Sequence, residues 1–179
     1  MPQTRFTPTI FDKIASNLEL TGISSEGLDR ASEFDKRSFR FHTTADLERF
    51  NEQAVRATVM RELAWLLNTV NLDSTIDLTP YPQVRTSVLN YGVNDMTGKS
   101  TTSQALKARA ARIKSAIETF EPRIDSASLK VETEASRSND QLNTTRYVIH
   151  CDISQAVEAI PVRFVTDFEN DTGDATVKG

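Results

Sequence analysis

The chain reads as an α+β domain, with two main helices followed by a three-stranded antiparallel meander and an extended N-terminal arm in front. Three observations carry that reading. Apolar residues recur at helical spacing over two stretches between residues 45 and 120. Beyond Pro122 the apolar period falls to two, the signature of half-buried strands. The strands follow the helices rather than alternating with them, which is the order of an α+β fold and not of βαβ units.

Residues 1–43 form the arm, with scattered apolar positions and one short helical turn expected in TPTIFDKI (7–14). Thr43 and Thr44 offer cap oxygens, and Asp46 stands three residues after Thr43, as in a capping box. A helix is therefore expected over 45–68, with Leu47, Phe50, Ala54, Ala57 and Trp65 on one stripe. Its end, LAWLL (63–67), is apolar on nearly every side and must be buried from several directions. Between Asn68 and Thr102 little is periodic: PYP (80–82) sets an extended entry, and VRTSVLNY suits a short helical piece closed by Gly92.

Thr101 and Gln104 make a second capping box ahead of Leu106, Ala110, Ile113, Ile117 and Phe120, which fall within a narrow helical arc ended by Pro122. The other faces of this helix hold Lys107, Arg109, Arg112 and Lys114. Such a basic face is either simply solvated or set to dock an acidic partner. Leu129, Val131 and Thr133 then alternate with charged residues, as do Thr145, Tyr147, Ile149 and Cys151 with Arg146, Val148, His150 and Asp152. Two such strands joined by a polar loop make a hairpin, and VRFVTDF (162–168) supplies a third strand after Pro161. The main domain thus covers 44–168, and 169–179 is an acidic tail with at most a final short extended piece.

Composition excludes several functions. A net charge of −4 over 179 residues argues against general affinity for nucleic acid. No apolar run approaches a membrane span, and the N-terminus has no signal-peptide core, so a cytoplasmic protein is expected. The one tempting motif is YGVNDMTGKSTTSQ (91–104), whose Gly98-Lys99-Ser100 resembles the end of a phosphate-binding loop. That loop needs four residues between its first Gly and the Gly-Lys pair, so that backbone N–H groups converge on one phosphate. Here Gly92 stands five residues before Gly98, and the required position is Val93. The following strands are antiparallel, where a nucleotide-binding fold demands parallel ones. GKST is read as a turn and a helix cap.

Other chemistry is equally bare. His42 and His150 are far apart, and His150 and Cys151 point to opposite faces of a strand, so no metal-ligand spacing exists. Cys151 reads as a small core hydrophobe. No local pattern nominates two carboxylates as an acid and a nucleophile. No cofactor, metal or catalytic residue is expected.

Three stretches stand out together: RELAWLLNT (61–69), SVLNYGVNDMTG (87–98) and FEPRI (120–124). In this order and spacing they resemble the TssE family of type VI secretion baseplates, which is similar to the wedge protein at which sheath assembly starts in contractile phage tails. Leu66, Leu67, Asn68, Asn90, Tyr91 and Gly92 carry the first two motifs. The resemblance implies a structural, non-catalytic subunit that joins TssF, TssG and TssK, touches sheath TssB and TssC, and lies near inner-tube or spike proteins. It also implies a membrane-docked assembly without membrane insertion. Two other readings stay open: a peptidoglycan-cleaving enzyme, following the family's old lysozyme-like label, and the same wedge subunit in a phage-derived particle.

Glu121 and Arg123 flank the corner made by Pro122, either as an ion pair that fixes it or as a charged contact with a neighbour. The strand residues Leu129, Val131, Tyr147, Ile149, Val162 and Phe164 are expected to build the sheet that accepts a strand from another chain. The hairpin 128–152 and strand 162–168 are expected to supply its free edge.

Overall fold

The computed structural model describes residues 52–95, 97–98, 102–134, 143–154 and 159–179. The arm, the caps at Thr43 and Thr44, the stripe residues Leu47 and Phe50, and Lys99 to Thr101 of the GKST turn lie outside these. Two units divide after Thr58, and each is described by itself.

In the first unit, the described residues open helix α1 (Glu52–Leu67), whose first turn carries an ion pair between Glu52 and Arg56 at 2.7 Å. The second unit begins inside α1 and runs to the C-terminus. The buried face of α1 is Val55, Val59, Leu63 and Leu66, not the stripe expected from Ala54, Ala57 and Trp65. Ala57 is exposed and Ala54 and Trp65 are half-buried. Alanine fits either side of a helix, so the larger valines and leucines decide which side turns inward.

After α1 come a 3-10 turn (Leu72–Ser74), the short helix α2 (Pro82–Arg85) and a second 3-10 turn (Val88–Asn90). Pro82 is thus a first helical residue, where its missing N–H costs nothing, rather than part of an extended entry. Helix α3 (Ser103–Phe120) follows, capped by Thr102, whose side chain accepts from the Ala105 N–H at 3.4 Å. Ala110, Ile113 and Ile117 are buried on its inner face, as the spacing predicts. Arg109, expected on the solvated basic face, is instead buried. It stands four residues before Ile113, at the margin of the apolar arc, and its guanidinium Nη2 is buried along with the stem.

The sheet has four strands in sequence order, all antiparallel: β1 (Lys130–Glu134), β2 (Thr144–Ile153), β3 (Ile160–Glu169) and β4 (Ala175–Lys178). It is α+β, with one more strand than the expected meander, because the final extended piece pairs with β3. Strand 162–168, expected to offer an edge, is flanked on both sides; the margins are β1 and β4. Pro161 lies within β3, opposite Asp152 and beyond the reach of β4, so its missing N–H breaks no bond of either ladder.

Alternation fills the inner face with Leu129, Tyr147, Ile149, Cys151, Ile153, Val162, Phe164 and Phe168, all buried. Helix α3 packs along β1. Burial pushes the Cys151 thiol up to about 12, so it stays protonated, as a core hydrophobe does. The outer face carries charge: Asp167 accepts from Arg146 Nε at 2.6 Å and from Lys178 Nζ at 3.1 Å.

Candidate functional site

The three sequence stretches meet in one place. Arg123 is the centre. Its Nε and Nη2 donate to the two carboxylate oxygens of Glu121, each at 2.7 Å, in a bidentate fork. Nη2 also donates to Glu62 on α1, and the Arg123 backbone N–H donates to Glu121 Oε1 at 3.2 Å. Glu62 in turn accepts from Arg61, whose guanidinium lies 5.0 Å from the Trp65 ring centroid. Glu121 and Arg123 are 4% and 7% exposed, so this network replaces water almost completely.

The corner arises from local backbone chemistry. Pro122 cannot continue α3, and Glu121 leaves the helical region with φ −119° and ψ 81° while its N–H still closes the last turn on Ile117. Residues 123–125 then run beside β2. Arg123 O accepts from Ser154 N at 2.8 Å, and Asp125 N donates to Asp152 O at 2.9 Å. Pro122 itself is exposed at the apex.

Tyr91 brings in the middle motif. Its ring meets Phe120 edge-on at 5.3 Å, and its hydroxyl reaches the Glu62 carbonyl at 3.5 Å. Burial, reinforced by Glu62 and Glu121, pushes the phenol up to about 12. Gly92 follows with φ +120°, and a Cβ there would sit 2.3 Å from Thr69 O. The contact it permits is a short parallel bridge between the first two motifs. Val93 N donates to Thr69 O at 2.8 Å, and Asn71 N donates to Val93 O at 2.9 Å. Gly92 is therefore a close-approach residue more than a helix closer.

The two asparagines are also joints. Asn90 is buried; its Oδ1 accepts from Asp73 N at 2.9 Å, and its Nδ2 donates to Arg85 O at 3.0 Å. Asn68 behaves as a substitute strand: Ala175 N donates to its Oδ1 at 2.8 Å, and its Nδ2 donates to Ala175 O at 2.9 Å. Leu66 and Leu67 are core residues.

The strand residues divide differently. Leu129, Tyr147, Ile149, Val162 and Phe164 point into the core, so their side chains build the sheet's inner face. Hydrogen-bond phase settles which backbone groups are outward. Asn170 N donates to Asn143 O, and Asp125 N to Asp152 O, so even-numbered residues of β2 turn toward β1. Given the register Glu132↔Val148, the N–H and C=O of Val131 and Thr133 point away from the sheet. On β4 the outward pairs are those of Ala175 and Val177, and Asn68 occupies the first.

Glu62 is the site residue that periodicity did not single out. Two carboxylates converge here, and burial raises Glu62 above the ordinary range against the pull of Arg123. A pair with one raised member is what a glycosidase requires. Yet both oxygens of buried Glu121 are taken by Arg123, which makes the pair a joint between elements rather than an acid and a nucleophile facing substrate. Among the described residues no group of side chains could hold a metal ion, and no helix is long and apolar enough to cross a membrane.

The model of one protein family, baseplate wedge protein gp25, matches residues 53–157, more than half of the chain. The chain belongs to the baseplate wedge protein gp25 family. All three stretches that meet at Arg123 lie inside the match, in agreement with the resemblance they carry in the sequence. No curated protein matches the chain. Membership of the gp25 wedge family makes it a structural baseplate component whose partners are other baseplate proteins, and places it in the context of contractile machines.

Proposed function

We propose that this wedge subunit joins TssF, TssG and TssK in a type VI secretion baseplate and seeds polymerisation of the TssB/TssC sheath by templating strand exchange. The observation that carries this reading is the margin of β1, which no described residue pairs. Val131 and Thr133 present consecutive outward backbone pairs, the minimum a foreign strand needs to add by β-augmentation. The opposite margin is largely closed, since Asn68 holds Ala175 and leaves only Val177 on β4. Charged Lys130, Glu132 and Glu134 on β1 guard against indiscriminate pairing, as on other natural edges.

Hydrogen-bond phase supplies the test. Thr133→Pro deletes an outward N–H and leaves the ladder to β2 intact; Glu132→Pro deletes a ladder bond instead. The first variant is expected to melt like the parent, to copurify with wedge proteins, and to fail at sheath assembly in cells. Normal sheath formation by a folded Thr133→Pro protein would sink the template role. The same preparation clearing a peptidoglycan suspension at catalytic levels would favour the hydrolase instead.

A further inference from the structure

Every large hydrophobic exposed among the described residues falls within one segment: Val70, Ile76, Tyr81, Val88 and Leu89, the last two at 82% and 70% exposure. Scattered exposed leucines need no explanation, but a cluster within twenty residues does. The segment is also held rigidly. Asn90 ties it to Asp73 and Arg85, Ser87 accepts from Leu89 N at 3.3 Å, and Gly92 bridges it to Thr69. Such preorganised apolar knobs lose little entropy on binding.

Beside them lies a groove of about 450 Å³, lined among others by Asp73, Arg85, Asn90, Arg112, Ser115 and Phe120. Thr86 and Asn90, which flank the Val88–Leu89 knob in the chain, belong to its wall, so the knob adjoins the groove. Ser115 and Ala116 keep the α3 side shallow enough for a backbone to approach. In the lining Arg85 reaches Asp73 at 3.9 Å, which leaves the charge of Arg112, and outside buried Arg109 α3 carries three cations and one acid. This flank is positive, which directs it toward an acidic partner and away from a symmetric pairing with the same flank of a second copy.

We propose that this groove and the apolar knob beside it form a docking surface for an acidic peptide segment with apolar anchors, contributed by a different polypeptide of the baseplate. Carboxylates of that segment pair with Arg112, while its apolar side chains cover Val88 and Leu89. The proposal rests on the wedge role above but not on the β1 margin.

Photo-crosslinking from benzoylphenylalanine placed at Leu89 in the assembled baseplate tests it. The expected product joins Leu89 to another baseplate protein within a stretch rich in Asp and Glu. A crosslink to this chain's own residues, to a second copy, to a basic stretch, or none at all in an assembly that contains the subunit, overturns the proposal. A chain that enters no baseplate overturns the wedge role itself. In parallel, Leu89→Asp and Arg112→Glu are expected to melt like the parent and to lose at least tenfold in copurification with wedge proteins, while Thr133→Pro keeps it. Retained copurification by both folded variants also overturns it.

Discussion

The sheet and the corner around Arg123 are built by different rules. In the sheet, side chains alternate, and almost any apolar residue of similar volume serves at Ile149 or Phe164. At the corner, each residue has one partner and one geometry. Arg123 forks onto Glu121, Gly92 lies against Thr69, and Asn68 replaces a strand at Ala175. Volume holds the first region together; matched polar groups and close backbone approach hold the second. The second should therefore be the brittle one.

Substitution at Gly92 breaks the comparison hardest. An alanine Cβ would meet Thr69 O at 2.3 Å, a backbone atom that cannot swing aside, in a conformation that side chains rarely adopt. Gly92→Ala is expected to lose more than about 4 kcal/mol, the range of the most disruptive single changes, and to leave no cooperative melt. Circular dichroism on the purified variant would show it; a normal transition would mean that the two motif loops slide apart freely.

Next comes Arg123→Met, which leaves buried Glu121 and half-buried Glu62 without their shared cation and is expected to cost about 3–5 kcal/mol in urea unfolding. Its pH dependence sharpens the point. Burial already raises Glu62, and without the guanidinium that opposes the rise it binds protons more tightly folded than unfolded, so the variant should regain stability as pH falls through the carboxylate range. The triple change with Glu62→Gln and Glu121→Gln should recover most of the loss at neutral pH. A variant insensitive to acid would show that the pair is not what the arginine holds.

Asn68→Ala is milder, about 1 kcal/mol for hydrogen bonds that water can partly replace. Its clearest readout is local: the Ala175 amide should lose hydrogen-exchange protection while β2 keeps its own. The smallest effect belongs to the sheet's outer face. The hydrogen bond from Arg146, helped by Lys178, holds the Asp167 carboxyl below its usual range despite partial burial. That contribution is present above the ordinary carboxylate pKa and vanishes as pH falls through the lowered one. Asp167→Asn should therefore cost about 0.5 kcal/mol at neutral pH, nothing in strong acid, and flatten the acid side of the profile.

What the sequence discloses follows the same division. Alternation over 144–153 and the arc of Leu106 to Phe120 announced strand and helix, because each repeat reports a neighbouring core. Arg109 misled because residue type alone says solvent, whereas its position beside Ile113 says core. The exposed run 70–89 left no periodic trace at all. The link between Glu62 and Arg123 spans 61 residues, and no local pattern records such a pairing. The motifs marked the corner as unusual; only the folded chain shows that they are one object. In β4, four residues were too few to alternate legibly.

The carboxamide of Asn68 has a directional consequence. By plugging one flank of the sheet at Ala175, it leaves β1 as the margin that no described residue pairs. In the proposed template role, growth would start from that margin, so a side chain just past the first helix would set the polarity of the lattice.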